Sequence, residues 1–389
     1  MGEFAVPATG QRGGIGLWKP LHCSGFFFCE KMTTMIERQL WHPVIASTQV
    51  RDDPVGVELL GQSLVLWREH EHGADTGAAR VHAWADQCPH RGARLSLGRV
   101  LNHLRGSRLE CPYHGWQFAG DVAASQQGEA VKPGRCLHVP ASPAFEPPVS
   151  HGVTVFEATE RHGLVWVRLE QPESGRVPST LADVPEFAPW SDPRWRQVLC
   201  GPYDVATSAP RLVENFLDLS HFGFVHEGWL GERTHAQVET GKVEEGEGGL
   251  VARECRAWQP RAYAGAADGA WIAYRYDVPH PYAAILRKDA AEGDPVSNAI
   301  ALFIKPEDDE RCVAWFAMAT LGDPASDEEL RSFQDTVFSQ DQPIVESQRP
   351  RRLPTGRDPK VREVHGPADR MSSAYRRYLS RLGITLGTC

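Results

Sequence analysis

The chain has 389 residues, of which 41% are hydrophobic and 23% are charged. This composition can build a sizeable core, excludes a globally disordered protein and, at this length, predicts two domains. Asp and Glu outnumber Lys and Arg by 50 to 41, which gives a net charge of −9 and no sign of a nucleic-acid partner. No apolar run approaches the roughly 20 residues of a membrane span, and the 9 cysteines are too sparse for a disulfide scaffold.

Residues 1–35 differ from the rest of the chain because they are rich in glycine and carry an isolated phenylalanine run, Phe26–Phe28. The apolar stretch is shorter than the core of a secretory signal, and no small-residue cleavage site follows it. We interpret this segment as a disordered or non-native leader, with Met32 and Met35 as candidate natural starts. A genuine disordered arm is the alternative.

The next segment, residues 36–170, has the pattern of a small all-β domain. Residues 57–69 and 80–88 are rich in β-branched and aromatic side chains, which predicts strands. Residues 151–169 alternate apolar and polar positions on either side of a polar turn. This alternation predicts a β-hairpin.

A Pro- and Ser-rich stretch at 170–190 marks the predicted boundary to an α+β domain, residues 171–389. The pattern predicts helices over 210–222, 326–347 and 371–382, and strands near 270–276, 299–304 and 312–320. Ser326 and the acids that follow it are typical of a helix N-terminus, and Gly383 is typical of a C-terminus. The predicted fold class is therefore α+β, with the all-β domain first.

Two pairs of metal-ligand residues lie in the all-β region. Cys88 and His90 form a C-x-H motif, and Cys111 and His114 form a C-x-x-H motif, each in a Pro/Gly-rich turn. A zinc finger instead pairs Cys with Cys and His with His. One Cys and one His per loop suit a two-iron cluster in which one iron keeps two Cys and the other takes two His. A zinc site and four unrelated core residues are the alternatives.

A second group of candidate ligands lies near residue 220. Asn215, Asp218 and His221 are three residues apart, so they would share one face of a helix. His226 could converge with His221 only if that helix ends first, and Gly223 is well placed to end it. Two His and one carboxylate form the facial triad of non-haem Fe(II) oxygenases.

The carboxylate of such a triad must come from elsewhere in the chain. Asp341 is the best candidate, because it lies in a predicted helix whose apolar face would pack against the core. Asp335 and Glu346 are competitors in the same predicted helix. The spacing alone does not choose among the three.

The motifs at Cys88 (C-P-H-R-G) and Cys111 (C-P-Y-H-G-W) resemble the Rieske [2Fe–2S] motif of ring-hydroxylating oxygenase α subunits. The N-x-x-D-x-x-H-x-x-x-x-H pattern that begins at Asn215 resembles the catalytic-domain signature of that family. The segment around Asp341 resembles its third-ligand region. The resemblance extends from about residue 35 to residue 383 and points to the vanillate O-demethylase and phenoxybenzoate dioxygenase branch. It implies a helix-grip (START-like) catalytic domain.

The resemblance also implies a role for each candidate residue. The [2Fe–2S] cluster is held by Cys88, His90, Cys111 and His114. A mononuclear Fe(II) is bound by His221, His226 and Asp341. Asp218 matches a carboxylate that links a Rieske His of one subunit to an iron-ligating His of its neighbour. Asn215 either forms a hydrogen bond near the iron or supports the helix.

No dinucleotide-binding motif follows a predicted strand, so electrons must come from a separate NAD(P)H-dependent reductase, with or without a ferredoxin. We predict a terminal mono- or dioxygenase that uses O2 to hydroxylate or oxidatively demethylate an aromatic or related cyclic small molecule. The resemblance implies a homotrimer, and we expect a cytoplasmic location. The alternatives are a Rieske-type electron-transfer protein without oxygenase activity and a zinc-binding structural protein.

Several further residues receive an interpretation. The candidate pocket aromatics, for which an ordinary core role is equally open, are Tyr263, Trp271, Tyr274 and Tyr282. His103 lies in the spacer between the two Cys/His motifs and is interpreted as a surface residue rather than a ligand. We predict that four further cysteines are buried and pack like small hydrophobic residues: Cys136, Cys200, Cys255 and Cys312.

Overall fold

The computed structural model describes residues 35–69, 80–102, 106–121, 131–246, 248–260, 269–289, 296–356, 358 and 360–389. The predicted leader, apart from Met35, and the interpretations of His103 and Tyr263 lie outside the described residues. No helix in the described ranges is long and apolar enough to cross a membrane.

A six-stranded antiparallel sheet forms most of the first part of the chain, in the order β1-β10-β9-β4-β3-β2. Its strands are β1 His42–Ala46, β2 Val55–Leu59, β3 Gln62–Glu69, β4 Arg80–Ala85, β9 Val155–Arg161 and β10 Leu164–Arg168. The predicted strand region 57–69 is the β2–β3 hairpin. The predicted hairpin over 151–169 is confirmed as β9–β10.

A smaller four-stranded sheet supports the two Cys/His motifs. Its order is β5-β6-β7-β8, with β5 Arg99–Leu101, β6 Arg108–Glu110, β7 Gln117–Ala119 and β8 Cys136–His138. The first motif lies in the turn after β4, and the second lies between β6 and β7. The thiols of Cys88 and Cys111 belong to the same buried core as Trp67 and Trp84, which anchors both turns to the larger sheet.

The second part of the chain is built on an eight-stranded antiparallel sheet. The order is β11-β18-β17-β16-β15-β14-β12, and β13 also pairs with β14. The strands are β11 Arg196–Val205, β12 Val238–Glu239, β13 Lys242–Gly246, β14 Gly249–Gln259, β15 Ala270–His280, β16 Ala283–Asp289, β17 Ser297–Pro306 and β18 Cys312–Leu321. The three predicted strands are confirmed as parts of β15, β17 and β18.

The helices of the described residues are α1 Ala188–Ser191, α2 Ala209–Leu217, α3 Phe222–Val225, α4 Asp327–Ser347 and α5 Arg370–Leu382. Helix α4 begins with a capping box in which Ser326 and Glu329 each accept a hydrogen bond from the other's backbone amide, at 3.2 and 2.7 Å. Helix α5 ends at Gly383, whose φ of 76° is the left-handed conformation that favours glycine. Both predicted ends are confirmed.

The single helix predicted over 210–222 is wrong. Helix α2 ends at Leu217, and Asp218 has extended backbone with φ −88° and ψ 131°. The Oδ1 atom of Asp218 accepts a hydrogen bond from the amide of Ser220 at 2.8 Å, a local turn that competes with helical hydrogen bonding. Asn215, Asp218 and His221 therefore do not share one helical face. His221 immediately precedes the separate one-turn helix α3.

Two of the strands that the pattern did not predict, β11 and β14, are irregular. Pairing shifts register in β11 between Cys200 and Tyr203, and in β14 between Ala252 and Cys255. Each shift resets the alternation of inward and outward side chains, so no period-2 pattern extends along these strands. In β16 the first four residues are all buried, which removes the alternation in a different way.

The two parts of the chain share a hydrophobic core. Trp41 and Trp166 of the first part pack in one cluster with Phe303 and Trp315 of the second, and Trp166 meets Phe303 edge-on at 5.1 Å between ring centroids. The predicted α+β class, with an all-β part first, is confirmed. The exact boundary at residue 170 stays a prediction, because residues on both sides of it contribute to this common cluster.

Candidate metal centres and active site

The two cysteine turns are built alike. The carbonyl oxygen of Cys88 accepts a hydrogen bond from Gly92 at 2.9 Å, and that of Cys111 accepts one from Gly115 at 3.1 Å. Both glycines have positive φ, 71° and 69°, which other residues adopt at a cost. Each thiol is 2% exposed. Matching turns therefore place two buried thiols together at the end of the small sheet.

The histidines of these turns lie beside one another, with His90 and His114 ring centroids 4.6 Å apart. Trp116 stacks on His90 at 4.6 Å with a 5° angle between ring planes, which shields that ring. Nδ1 of His90 is buried and has no hydrogen-bond partner within the described part of the chain. Burial and the neighbouring His114 lower the pKa of His90, which favours the neutral imidazole that metals bind.

The chemistry of this donor set fits a Rieske cluster. Burial, which a hydrogen bond from the His90 backbone only partly offsets, raises the pKa of Cys88, so a thiolate there needs a bound cation. Two thiols and two adjacent imidazoles, one of which has an orphaned ring nitrogen, are the donors that a [2Fe–2S] cluster with Cys₂His₂ ligation requires.

The second site forms where helix α3 meets helix α4. His221 directly precedes the single turn of α3 and His226 directly follows it, so their rings converge with Nε2 atoms 3.2 Å apart. Asp341, in the middle of α4, brings Oδ1 to 3.4 Å from Nε2 of His221 and 3.2 Å from Nε2 of His226. Neighbouring ligands at right angles around a metal, each about 2.1 Å from it, are about 3 Å apart. The three atoms thus have the spacing of a facial triad.

Each member of this triad is held by a second side chain. Oδ2 of Asp218 lies 3.2 Å from Nδ1 of His221, and Oε1 of Gln340 lies 2.8 Å from Nδ1 of His226. The amide of Asn215 donates to Oδ1 of Asp341 at 3.3 Å. Since Nδ1 of both rings faces an oxygen acceptor, Nε2 of both rings is left free for a metal.

Charge reinforces this arrangement. Burial disfavours ionisation of Asp218, but hydrogen bonds from His221 and Ser220 outweigh it and hold the pKa of this carboxyl below its ordinary value. Burial also disfavours a charged His226, yet the neighbouring Asp341 carboxylate and Gln340 outweigh it and raise the pKa of this imidazole. The environment around His226 therefore favours positive charge, which a bound cation would supply.

The competing carboxylates are engaged elsewhere. Asp335 accepts a hydrogen bond from the hydroxyl of Tyr203. Glu346 accepts hydrogen bonds from the amide of Ala206 and the side chain of Gln342, both at 3.0 Å. Of the three acids that the spacing left open, Asp341 is the one that lies beside the two histidines.

The triad opens into an apolar cavity of about 90 Å³. Its apolar lining consists of Leu212, Phe216, Phe222, Leu286, Leu302, Phe316 and Val337, among others. A larger cavity of about 440 Å³ adjoins it and shares five lining residues, Leu230, Gln259, Lys288, Ile300 and Phe333. The two spaces form a chamber that could enclose a small cyclic molecule, with His221, His226 and Asp341 at its inner end.

The predicted pocket aromatics divide between cavity and core. Tyr274 lines the cavity, and the unpredicted Tyr276 lines it as well. Trp271 is instead 40% exposed, and the ring of Tyr282 packs in the core against His42, 5.6 Å away. The pocket role is therefore wrong for Trp271 and Tyr282, and Tyr282 has the core position that was left open as the alternative. The four cysteines without metal-like spacing are all buried, as predicted.

Sequence reasoning missed Gln340, Gln259 and Lys288. Gln340 directly precedes Asp341. A polar residue next to a candidate ligand could have indicated a side chain that orients the site. Lys288 is two residues after the apolar Leu286 in β16, so both side chains lie on the cavity face of the strand. A lysine on an otherwise apolar strand face could have been singled out.

Two family models match the chain. Residues 40–146 match the Rieske [2Fe-2S] domain, and residues 205–383 match the vanillate O-demethylase oxygenase C-terminal domain. Methylxanthine N1-demethylase NdmA of Pseudomonas putida is 31% identical over 356 residues, which cover 89% of this chain and 89% of the relative. The chain belongs to the Rieske oxygenase family.

Solved structures of Rieske oxygenases share this fold. The structure of Pseudomonas putida CBB5 NdmA with caffeine has a TM-score of 0.68 and 30% sequence identity, and the match covers 88% of this chain and 90% of that one. Dicamba monooxygenase bound to dicamba has a TM-score of 0.69 and 25% identity, covering 90% and 98% of the two chains. The cofactors of such a Rieske oxygenase are a [2Fe–2S] cluster and a mononuclear iron. Its electrons come from a reductase, and its substrate is a small molecule.

Proposed function

We propose that this Rieske oxygenase is the terminal component of an oxidative demethylase that removes an N- or O-linked methyl group from a cyclic small molecule. The observation that carries the proposal is the triad of His221, His226 and Asp341 at the inner end of a largely apolar chamber. When bound, the cluster supplies electrons and the mononuclear iron supplies O2 activation. Each demethylation consumes a molecule of O2 and a pair of electrons, and releases formaldehyde and water.

Each group of side chains has a separate role in the proposed reaction. The cluster is held by Cys88, His90, Cys111 and His114. The iron is held by His221, His226 and Asp341. Asp218 and Gln340 keep the protons of the two imidazoles on Nδ1. The apolar wall of the chamber keeps water away from the reacting methyl group and holds the ring of the substrate.

The same proposal includes a homotrimer in which Asp218 connects two subunits. Its side chain is 30% exposed, so a neighbouring chain can reach it. Around the Rieske motif, Tyr113 and Phe145 are 65% and 45% exposed, and their rings contact His114 and His151. Exposed aromatic side chains of this kind are typical of an interface. A head-to-tail ring would bring this surface to the Asp218 of the next subunit.

We further propose that the electrons come from an NAD(P)H-dependent reductase, with or without a ferredoxin, and that the protein is cytoplasmic. The described cysteines are all free, including the buried pair at the Rieske motif, and free thiols are typical of a reducing compartment.

The test supplies the fully loaded protein with NADH, a surrogate reductase and a panel of N-methylxanthines and methoxybenzoates. We expect O2 uptake coupled to formaldehyde release for at least one compound. A hydroxylated product without formaldehyde would replace demethylation by ring hydroxylation. A cluster that is reduced and reoxidised with no organic product would leave only electron transfer. Asp341→Ala is the matched negative control, because it removes an iron ligand and leaves the Rieske motif unchanged.

A further inference from the structure

Among the described residues that line the substrate chamber, Lys288 is the one Lys or Arg side chain. Lys288 lies on β16, opposite Tyr274 of β15, and borders both the inner and the outer cavity. Its Nζ donates to Oε1 of Gln259 at 3.2 Å. No carboxylate among the described residues forms an ion pair with it, and Asp323 influences it only at longer range. A positive charge thus lies in an apolar chamber with a neutral amide as its partner.

Gln259 adds a second donor to this position. A lysine ammonium can only donate, so the amide of Gln259 must turn its oxygen to Lys288 and its nitrogen away. Gln259 is 1% exposed, and its Nε2 has no hydrogen-bond partner among the residues that the structure describes. A buried donor without an acceptor is costly and is uncommon in folded proteins. Lys288 and Gln259 therefore form a pair of donors that lacks an acceptor.

The charge state of the lysine favours an anionic acceptor. Burial lowers the pKa of Lys288 to about 8, while Asp323 acts in the opposite direction. The ammonium is therefore still mostly protonated at neutral pH, and burying it without a counter-ion is unfavourable. A carboxylate can accept hydrogen bonds from the ammonium and from the amide at the same time, and it neutralises the charge.

The other acids of the outer cavity restrict where such an anion can lie. Glu329 is engaged in the capping box with Ser326, and Asp323 accepts a hydrogen bond from the amide of Ala325 at 3.0 Å. Both line the outer cavity and are absent from the lining of the inner one. Repulsion from these carboxylates favours an anion at Lys288, on the side of the chamber nearer the iron ligands.

The wall between this position and the iron ligands is about two aromatic rings long. Tyr274, beside Lys288, has its ring centroid 6.2 Å from that of Phe222, and Phe222 is 5.0 Å from His221. A single ring with a substituent at each end can lie along this wall. One end would contact Lys288, and the other would reach the metal ligands.

We propose that Lys288 and Gln259 bind a carboxylate of the substrate, so that the enzyme acts on cyclic carboxylic acids whose methyl-bearing end lies at His221, His226 and Asp341. This inference rests on the proposed oxygenase function, whose site it extends. Within the described part of the chain, neither Lys288 nor Gln259 forms a hydrogen bond or ion pair with His221, His226 or Asp341, so both act as substrate-positioning residues.

The test is equilibrium binding to the holoenzyme without O2, using methoxybenzoates and the matching methoxybenzamides as probes. The amides keep the ring, the methoxy group and the shape but lack the charge. We expect the wild type to bind at least one acid roughly 10- to 100-fold more tightly than its amide, and Lys288→Met to abolish this preference. Gln259→Glu should also abolish it while retaining the lysine, because the new carboxylate would neutralise Lys288 and repel the ligand.

The matched control is Lys242→Met, which removes an exposed lysine that pairs with Glu254 on the sheet surface. It should keep the full preference for the acid, and the visible spectrum of the cluster reports that each variant is folded. Equal binding of acid and amide, binding of no acid, or a preference that survives both chamber variants overturns the proposal. Acid binding that depends on Lys288 without any oxidation of the bound acid would instead contradict the oxygenase function and leave this inference intact.

Discussion

Nδ1 of His226 lies 2.8 Å from the amide oxygen of Gln340, the residue directly before Asp341 in helix α4. Because that oxygen can only accept, the proton of the imidazole resides on Nδ1, and Nε2 is free to face Asp341 and His221. Two adjacent residues of one helix thus have complementary tasks. Asp341 offers a carboxylate oxygen to the proposed iron site, and Gln340 sets the tautomer of His226.

Replacing Gln340 by Leu should weaken iron binding at the mononuclear site by roughly 10- to 100-fold, because nothing then fixes the tautomer and orientation of His226. Competition with an Fe(II) chelator measures this affinity. Gln342→Leu is the matched control, since Gln342 contacts Asp204 and Glu346 instead of a ligand. Equal iron affinity in the two variants would show that Gln340 does not orient the ligand.

Asp341→Ala should reduce the iron content from about three to about two atoms per chain, with the acid-labile sulfide unchanged. The remaining two histidines cannot complete a facial triad. Metal analysis of protein prepared without O2 gives the count. Asp335→Ala, one of the other acids in α4, should retain the full content. Iron loss in Asp335→Ala with retention in Asp341→Ala would reverse the assignment.

Asp218→Ala should retain both metal centres but lose at least about 100-fold in turnover, because the carboxylate that would connect two subunits is gone. Rapid mixing of the reduced protein with O2 and substrate should show slow reoxidation of the cluster. Asp218→Asn keeps the size of the side chain and separates loss of charge from loss of packing. Turnover close to that of the wild type in both variants argues against a bridging role.

Buried histidines should make folding sensitive to acid. Burial lowers the pKa of His42 to about 4 and that of His280 well below its ordinary value. In the unfolded chain these histidines become protonated near pH 6.5, whereas His42 in the folded protein becomes protonated only as the pH approaches about 4. The free energy of unfolding should therefore fall as the pH drops through this window, by up to about 3 kcal/mol for His42.

His42→Gln tests this prediction, since the amide can still donate to the backbone oxygen of Glu37. We expect the variant to lose less stability than the wild type between neutral pH and about pH 5 in urea denaturation. His365→Gln, at an exposed position, is the control and should keep the slope of the wild type. A parallel pH dependence in wild type and His42→Gln would exclude His42 as the source.

Local patterns were sufficient for much of the fold. The β-branched and aromatic composition located the strand region of β2 and β3, and alternation located the hairpin β9–β10. The Ser326 cap located the start of α4, and Gly383 located the end of α5. Strands β11 and β14 were missed, because a bulge in each strand shifts the alternation of inward and outward side chains. The predicted helix over 210–222 is longer than the observed one. The turn between Asp218 and Ser220 depends on a side-chain hydrogen bond, which the spacing of apolar residues does not reveal.

The sequence by itself determined the ligand types, the two-part organisation and the family resemblance, because Cys, His and Asp at short spacings are constrained by local turn geometry. The spacing left Asp341, Asp335 and Glu346 open, and the family resemblance pointed to Asp341. Only the tertiary structure shows that Asp341 lies beside both histidines, because this contact depends on how helix α4 packs against a distant turn. The contact between Lys288 of β16 and Gln259 of β14 is also visible only in the tertiary structure. Contacts between residues that are distant in the chain depend on packing and strand register, which cannot be inferred from local spacing.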